Sequence, residues 1–168
     1  MILLAGTANP ALAAAVAAQL GGALAECVVE RFPDGELHVE VRESVRGKRV
    51  FLLQSTSPPV EQHLFELLLS SDACRRAVAE QRIAVVPYFG YARHDRRTAG
   101  RDPIGARVIA DMLACVGIGG VVAVELHTRS VEGFFSMPAE HLSAVSVLAD
   151  WIRPATAGDS VVVAPDLG

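Results

Sequence analysis

The sequence predicts an α/β domain: a mostly parallel sheet flanked by helices, with one short antiparallel strand pair beside it. Three observations predict this. Short, continuously apolar runs alternate with longer amphipathic ones, the respective signatures of strands covered on both faces and of helices with one buried stripe. The alternation repeats along the chain with no low-complexity segment, which is the connectivity of parallel strands joined by crossover helices. Residues 37–42 carry the two-residue alternation of a half-buried antiparallel strand, Leu37, Val39 and Val41 against His38, Glu40 and Arg42.

Residues 2–5 form the first expected strand, followed by the turn Gly6-Thr7-Ala8-Asn9-Pro10. Asn9 suits a helix cap and Pro10 the first helical position, and the Ala-rich run to Leu20 is strongly helix-forming until Gly21-Gly22 stops it. Strands are expected at 27–32 and 37–41, joined through Pro33-Asp34-Gly35-Glu36, and at 50–53. Leu64, Leu67, Leu68, Ser71, Cys74 and Val78 give residues 59–79 a helical period. A buried strand at 83–86 precedes a long polar loop reaching Asp102, and Pro103 opens a helix ending at Gly117. A strand at 121–126, a helix over 139–152 and a strand at 161–164 complete the pattern. The last of these runs into Pro165-Asp166-Leu167-Gly168 without a crossover helix, so the chain reads as the first part of a longer protein. On that reading 1–147 is an N-terminal domain and 148–168 the start of a second one.

Composition narrows the function classes. Apolar residues make up 51% of the 168 and charged residues 20%, which excludes a disordered chain. Lys and Arg number 15 against 19 acidic residues, a formal charge of -4, so no nucleic-acid partner is expected. No apolar run approaches the roughly 20 residues of a membrane span, and no basic segment precedes an apolar one at the N-terminus, so neither membrane nor secretion is expected. Cys27, Cys74 and Cys115 are widely spaced in apolar stretches and read as buried thiols of a reducing cytoplasm.

Ligands of parallel sheets gather at the carboxyl ends of the strands. That rule selects Gln54-Ser55-Thr56, the loop 88–102, the segment 127–135 and Asp166-Leu167-Gly168. The loop after Val86 holds Arg93, Arg96, Arg97 and Arg101, four arginines within nine residues, beside Tyr88, Phe89 and Tyr91. Guanidinium groups pair bidentately with phosphate oxygens and stack on flat rings, so this loop suits a nucleotide. The alternative is a solvated charged loop in which Asp95 and Asp102 neutralise arginines. In Arg31-Phe32-Pro33-Asp34-Gly35-Glu36, Phe32 offers a stacking surface and Asp34 and Glu36 acceptors for an exocyclic amine, although a Pro-Asp-Gly turn explains the same residues. His127, two residues after Glu125 at a strand end, suits a metal ligand or a structural histidine, and Asp166 offers a hard oxygen donor for Mg²⁺.

Taken together, the segments resemble ribose-phosphate pyrophosphokinase. The matching pieces are Gly6-Thr7-Ala8-Asn9-Pro10, Arg31-Phe32-Pro33-Asp34-Gly35-Glu36, Gln54-Ser55-Thr56, Glu66-Leu67-Leu68 and Pro87-Tyr88-Phe89-Gly90-Tyr91-Ala92-Arg93-His94-Asp95-Arg96. Arg101-Asp102-Pro103-Ile104, Leu126-His127, Gly133-Phe134-Phe135 and Pro165-Asp166-Leu167-Gly168 follow in the same order. The resemblance implies a phosphoribosyltransferase-like (Rossmann-like) fold and transfer of the β,γ-diphosphate of ATP to ribose 5-phosphate with Mg²⁺, giving phosphoribosyl pyrophosphate and AMP. It implies ATP binding by Arg93, His94, Asp95 and Arg96, with Arg93 on adenine and Arg96 near the phosphates. Phe32, Asp34 and Glu36 would complete the adenine pocket of a neighbouring subunit in a homo-oligomer of dimers within larger rings. His127, the candidate catalytic residue, and Asp166 would hold Mg²⁺. The family's ribose 5-phosphate loop would lie beyond Gly168, so the chain alone is expected not to turn over. A non-catalytic regulatory homologue that co-assembles with an active synthetase is the alternative. Two departures stand out: Glu125 replaces a usual Asp, and His94 a common Gln.

Overall fold

Five parallel strands make the main sheet: β1 (Ile2–Ala5), β4 (Arg49–Leu53), β5 (Gln81–Val86), β6 (Gly120–Val124) and β7 (Ala139–Leu142), side by side in that order. The register places Leu4 beside Leu52, Leu52 beside Ala84, and Ala84 beside Val121. The computed structural model describes residues 1–156 together with Val161, Val163 and Ala164.

Alternation along the strands divides the core between the two faces of the sheet. Leu3 and Leu53 pack with Ala13 and Ala17 of α1 (Pro10–Gln19), while Leu4, Val50, Leu52, Ala84 and Val86 face α2 (Val60–Arg76) and α3 (Gly105–Cys115). The start and stop of α1 follow the sequence. Asn9 Oδ1 accepts the Leu12 N–H at 3.0 Å, and Pro10 occupies the first turn. At its end the Gly21 and Gly22 N–H groups donate to Ala18 and Ala17 carbonyls, with Gly21 at φ +67° closing the turn as only glycine does readily.

The antiparallel pair β2 (Cys27–Arg31) and β3 (Leu37–Val41) stands apart from the main sheet as expected, and β3 lies against α2. Because the hairpin covers one flank of α2 and the sheet the other, that helix buries Leu64, Leu67, Leu68 and Cys74 together with His63, Glu66, Ser70 and Ser71.

The structure corrects two sequence expectations. The helix expected over 139–152 splits into β7 and α4 (Val145–Ile152). Although Ala-Glu-His-Leu is compatible with a helix, the open edge of β6 takes it up in parallel register from Val121–Ala139 to Val124–Leu142, so the tertiary ladder overrides local propensity. Of the three cysteines only Cys74 is buried; Cys27 is half-buried and Cys115, at the end of α3, is exposed. The expected strand at 161–164 falls partly outside the described residues, and Val161, Val163 and Ala164 lie in no strand. Asp166 lies outside them altogether. No helix of the described residues is long and apolar enough to cross a membrane.

Candidate functional site

Three of the strand-end loops singled out by the sequence converge. Thr56, just past β4, takes the loop after β5 in hand: its N–H donates to the Tyr88 carbonyl at 2.8 Å, and its hydroxyl accepts the Gly90 N–H at 2.6 Å. The approach is close enough to demand glycine, since a Cβ on Gly90 would lie 2.6 Å from the Thr56 carbonyl oxygen and 2.7 Å from Val60 Cγ1. The loop is held at two further points. Phe89 is buried edge-on against Phe135, and Thr128, past β6, donates its hydroxyl to Asp95 Oδ2 at 2.9 Å.

Between these loops lies a cleft of about 370 Å³ lined by Val60, residues 88–94, Val124, Glu125 and His127. Its size is that of a small-molecule site, and its wall mixes aromatic rings with a few polar groups. Two residues of the wall hold left-handed backbone conformations without being glycine: Tyr91 at φ +63° and Glu125 at φ +48°. Such outliers persist only where surrounding structure fixes them, and they concentrate at functional sites. Here the fixings are visible. The Tyr91 hydroxyl donates to Glu61 Oε1 at 2.7 Å, which holds the Glu61 carboxyl below its usual range and raises the tyrosine. The Glu125 carboxylate accepts the Ser143 hydroxyl at 2.7 Å and the Ala144 N–H, and the two hydrogen bonds draw its carboxyl down.

The aspartates of the loop do not neutralise its arginines. Asp95 is engaged by Thr128, and Asp102 by the Thr98 hydroxyl and the Ala99 N–H at 2.8 Å, which keep its carboxyl below the usual range. Among the described residues, Arg93, Arg96 and Arg101 form no ion pair, so Asp95 and Asp102 do not neutralise these exposed arginines.

Of the residues proposed from sequence, Arg93, His94 and His127 share the cleft, and Asp95 stands behind it on Thr128. Arg96 is exposed on the same loop outside the cleft lining. Phe32, Asp34 and Glu36 are not brought there; all three are exposed on the β2–β3 hairpin, with Asp34 Oδ1 accepting the Glu36 N–H at 3.1 Å within the turn. His127 is exposed and none of its ring atoms is hydrogen-bonded among the described residues, so it can supply one donor to a metal. No three His, Cys, Asp or Glu side chains converge as a metal set among the described residues.

The sequence gives no role to a carboxylate buried on α2. Glu66 is completely buried, yet no cation pairs with it among the described residues. It accepts the Thr7 N–H at 3.1 Å, the Thr7 hydroxyl at 2.8 Å, Gln54 Nε2 at 2.7 Å and Gln62 Nε2 at 3.0 Å. Burial pushes the carboxyl upward, but hydrogen bonds from Gln62, Thr7 and Gln54 outweigh it and leave the group below its usual value. Gln54 Oε1 also accepts the Ala8 N–H, and Gln62 Oε1 accepts Arg31 Nη2 at 2.9 Å, so one buried charge joins the loops after β1 and β4 to the hairpin. The available signal was a Glu set inside the apolar run from Leu64 to Leu69.

Comparison with known proteins agrees with this geometry. A family model described as the N-terminal domain of ribose phosphate pyrophosphokinase matches residues 1–117. A ribose-phosphate pyrophosphokinase of Parasynechococcus marenigrum is 49% identical over 166 residues, covering 99% of this chain and 50% of that protein. Ribose-phosphate pyrophosphokinase 1 of Spinacia oleracea is 46% identical over 165 residues, covering 97% and 49% respectively. Among solved structures, phosphoribosylpyrophosphate synthetase from Mycobacterium smegmatis superposes with a TM-score of 0.88 at 40% identity, over 91% of this chain and 51% of the other. The chain thus spans about half the length of the curated relatives it matches.

Proposed function

Since the chain belongs to the ribose-phosphate pyrophosphokinase family, of which it carries the N-terminal domain, we propose that it is the ATP-binding part of an enzyme transferring diphosphate from ATP to ribose 5-phosphate. The observation that carries this reading is that Arg93 in the cleft wall, with Arg96 and Arg101 on the same loop, is left without a carboxylate partner among the described residues, because both nearby aspartates are spent on holding the loop. An acidic chain that keeps such a cluster unpaired beside aromatic rings offers a purine a stacking surface and its phosphates a cationic rim.

In this reading Arg93 lies on the adenine, Arg96 receives the phosphates, and His94 and Asp95 shape the run between them. Phe32, Asp34 and Glu36 reach the cleft of a second copy rather than their own, consistent with a hairpin that stands off the main sheet. The assembly would be a homo-oligomer in the cytoplasm. Mg²⁺ would arrive on the nucleotide, neutralising charge on the transferring diphosphate. His127 would offer it one donor and Asp166 another, with phosphate oxygens and water supplying the rest. What the protein contributes is position and charge complementarity, which suffice for phosphoryl-type transfer. Residues from about 148 onward would open a second domain. In support, α4, which straddles that boundary, buries none of its side chains and leaves Val145, Val147, Leu148 and Trp151 exposed. The ribose 5-phosphate site would lie in that second part, and the chain alone would not turn over.

Calorimetric titration of Mg-ATP into the chain and its R93A variant tests the site. Loss of the stacked guanidinium should weaken binding by roughly 1–3 kcal/mol, as loss of a base-stacking partner does. F32A should weaken binding as well, and in mixed assemblies it should do so only when it sits on the subunit opposite the occupied cleft. An ATP affinity indifferent to both substitutions would remove the proposed pocket.

A further inference from the structure

His141 lies on β7 beside Ala123 of β6, and its half-buried ring reaches over to the loop that carries His127. Its Nε2 is 3.2 Å from the Leu126 backbone nitrogen. A backbone N–H can only donate, so Nε2 must accept and carries no proton; the ring is neutral with its proton on Nδ1, a tautomer assigned from this contact. Nδ1 in turn faces Glu132 Oε1 at 3.4 Å, on the 3-10 turn Arg129–Phe134 that follows His127. One imidazole therefore holds the backbone just before His127 and addresses the turn just after it.

Leu126 is buried between Glu125 and His127, and Glu125 holds a left-handed conformation. A backbone bent there needs its neighbouring N–H groups satisfied. The Glu125 N–H donates to the Leu142 carbonyl at 3.0 Å and the Leu126 N–H donates to His141, so both come to rest on β7. The bend aims His127 into the cleft.

We propose that His141, in its Nδ1-protonated form, is a positioning residue that sets the direction in which His127 meets the nucleotide. The proposal rests on the reading of the cleft as the ATP site, and it adds a residue that touches neither nucleotide nor metal. Glutamine can replace it, because its terminal amide extends to the place of Nε2 and its oxygen can accept the Leu126 N–H. Methionine fills similar volume and accepts poorly.

The test uses the ¹⁵N-labelled chain with H141M and H141Q. Long-range ¹⁵N–¹H spectra of the wild type at neutral pH should show a bare Nε2 and a protonated Nδ1. Exchange of the Leu126 amide should quicken roughly 2- to 10-fold in H141M, the range corresponding to one lost hydrogen bond, and return to the wild-type rate in H141Q. Mg-ATP affinity should fall in H141M and recover in H141Q. A proton found on Nε2 overturns the proposal without any variant having to fold. An unchanged Leu126 exchange rate, or unchanged Mg-ATP affinity in H141M, overturns it while R93A still reports on the cleft. Absence of Mg-ATP binding to the wild type overturns the reading of the cleft first and the proposal with it.

Discussion

Replacing Glu66 by glutamine tests whether a buried negative charge organises the loops after β1 and β4. The two carboxylate oxygens are not equivalent. Oε2 receives the Thr7 N–H, the Thr7 hydroxyl and Gln54 Nε2, whereas Oε1 receives Gln62 Nε2 and a second approach of the Thr7 hydroxyl. The new amide would therefore place its NH₂ at Oε1, where the threonine hydroxyl can turn to accept it. It then opposes Gln62 Nε2, donor against donor, and Gln62 cannot flip without surrendering its bond from Arg31. The loss is one hydrogen bond to a charged acceptor plus a donor left facing another donor, together roughly 2–3 kcal/mol. For a chain of this size that is a fall in melting temperature of roughly 4–12 °C. Urea unfolding should show it as a lower midpoint with an unchanged slope. The pH dependence supplies an independent sign. The folded carboxyl sits below its unfolded value, so its stabilisation is fully present above about pH 4.3 and fades as pH falls through the folded value. The gap between wild type and E66Q should thus be constant near neutrality and shrink in acid. A gap under about 0.5 kcal/mol at pH 7, the size of an ordinary surface substitution, would refute the reasoning, as would a gap that widens on acidification.

Two further outcomes follow from the same structure. Burial pushes the Cys74 thiol up to about 11, with Cys27 adding to the rise and Arg82 opposing it. A maleimide at pH 8 should therefore label exposed Cys115 in the folded chain and spare buried Cys74, whose thiolate is scarce at that pH; equal labelling rates in mass spectrometry would contradict the packing. Shortening Glu125 to aspartate should pull its carboxylate away from the Ser143 hydroxyl and the Ala144 N–H. Backbone exchange across the first turn of α4 should quicken several-fold, and an unchanged pattern would show that the longer side chain does not hold that turn.

The strands were legible because parallel strands covered on both faces are apolar throughout, so 50–53 and 83–86 announce themselves; the hairpin was legible because Pro33-Asp34-Gly35 separates a β-branched run from the alternating 37–41. What escaped depends on partners distant in sequence. Residues 139–142 have no strong preference of their own, and only the unpaired edge of β6 makes them a strand. Exposure of Cys115 depends on which side of α3 meets the sheet, and the positive φ of Tyr91 and Glu125 on anchors at Glu61 and Ser143. The arginine loop was visible as a nucleotide-binding candidate. The engagement of Asp95 and Asp102 that leaves its cations unpaired was not, because Thr128 and Asp95 are 33 residues apart.

That engagement also explains how a long loop can serve as a binding surface without a large ordering penalty. The fifteen residues 88–102 would be expensive to immobilise only on ligand arrival, but the first half of the segment is already fastened. Thr56 holds it at Tyr88 and Gly90, Phe89 is sunk against Phe135, Thr128 holds Asp95, and the Ala106 N–H donates to the His94 carbonyl at 3.2 Å. Among the described residues, the guanidinium groups of Arg93, Arg96 and Arg101 remain uncommitted, whereas Arg97 donates to the Gly100 carbonyl. In the proposed reading a polyanion entering the cleft would meet a backbone already held over 88–95, so most of the entropic cost would fall on a few side chains instead of on that stretch. The aspartates act in the same direction: by taking neutral partners they fix the backbone while leaving the positive field of the arginines to the ligand. An acidic chain thereby presents a locally cationic rim, and in the proposed reading a preference for phosphate would arise from where the loop's carboxylates are tied down, not from any excess of basic residues.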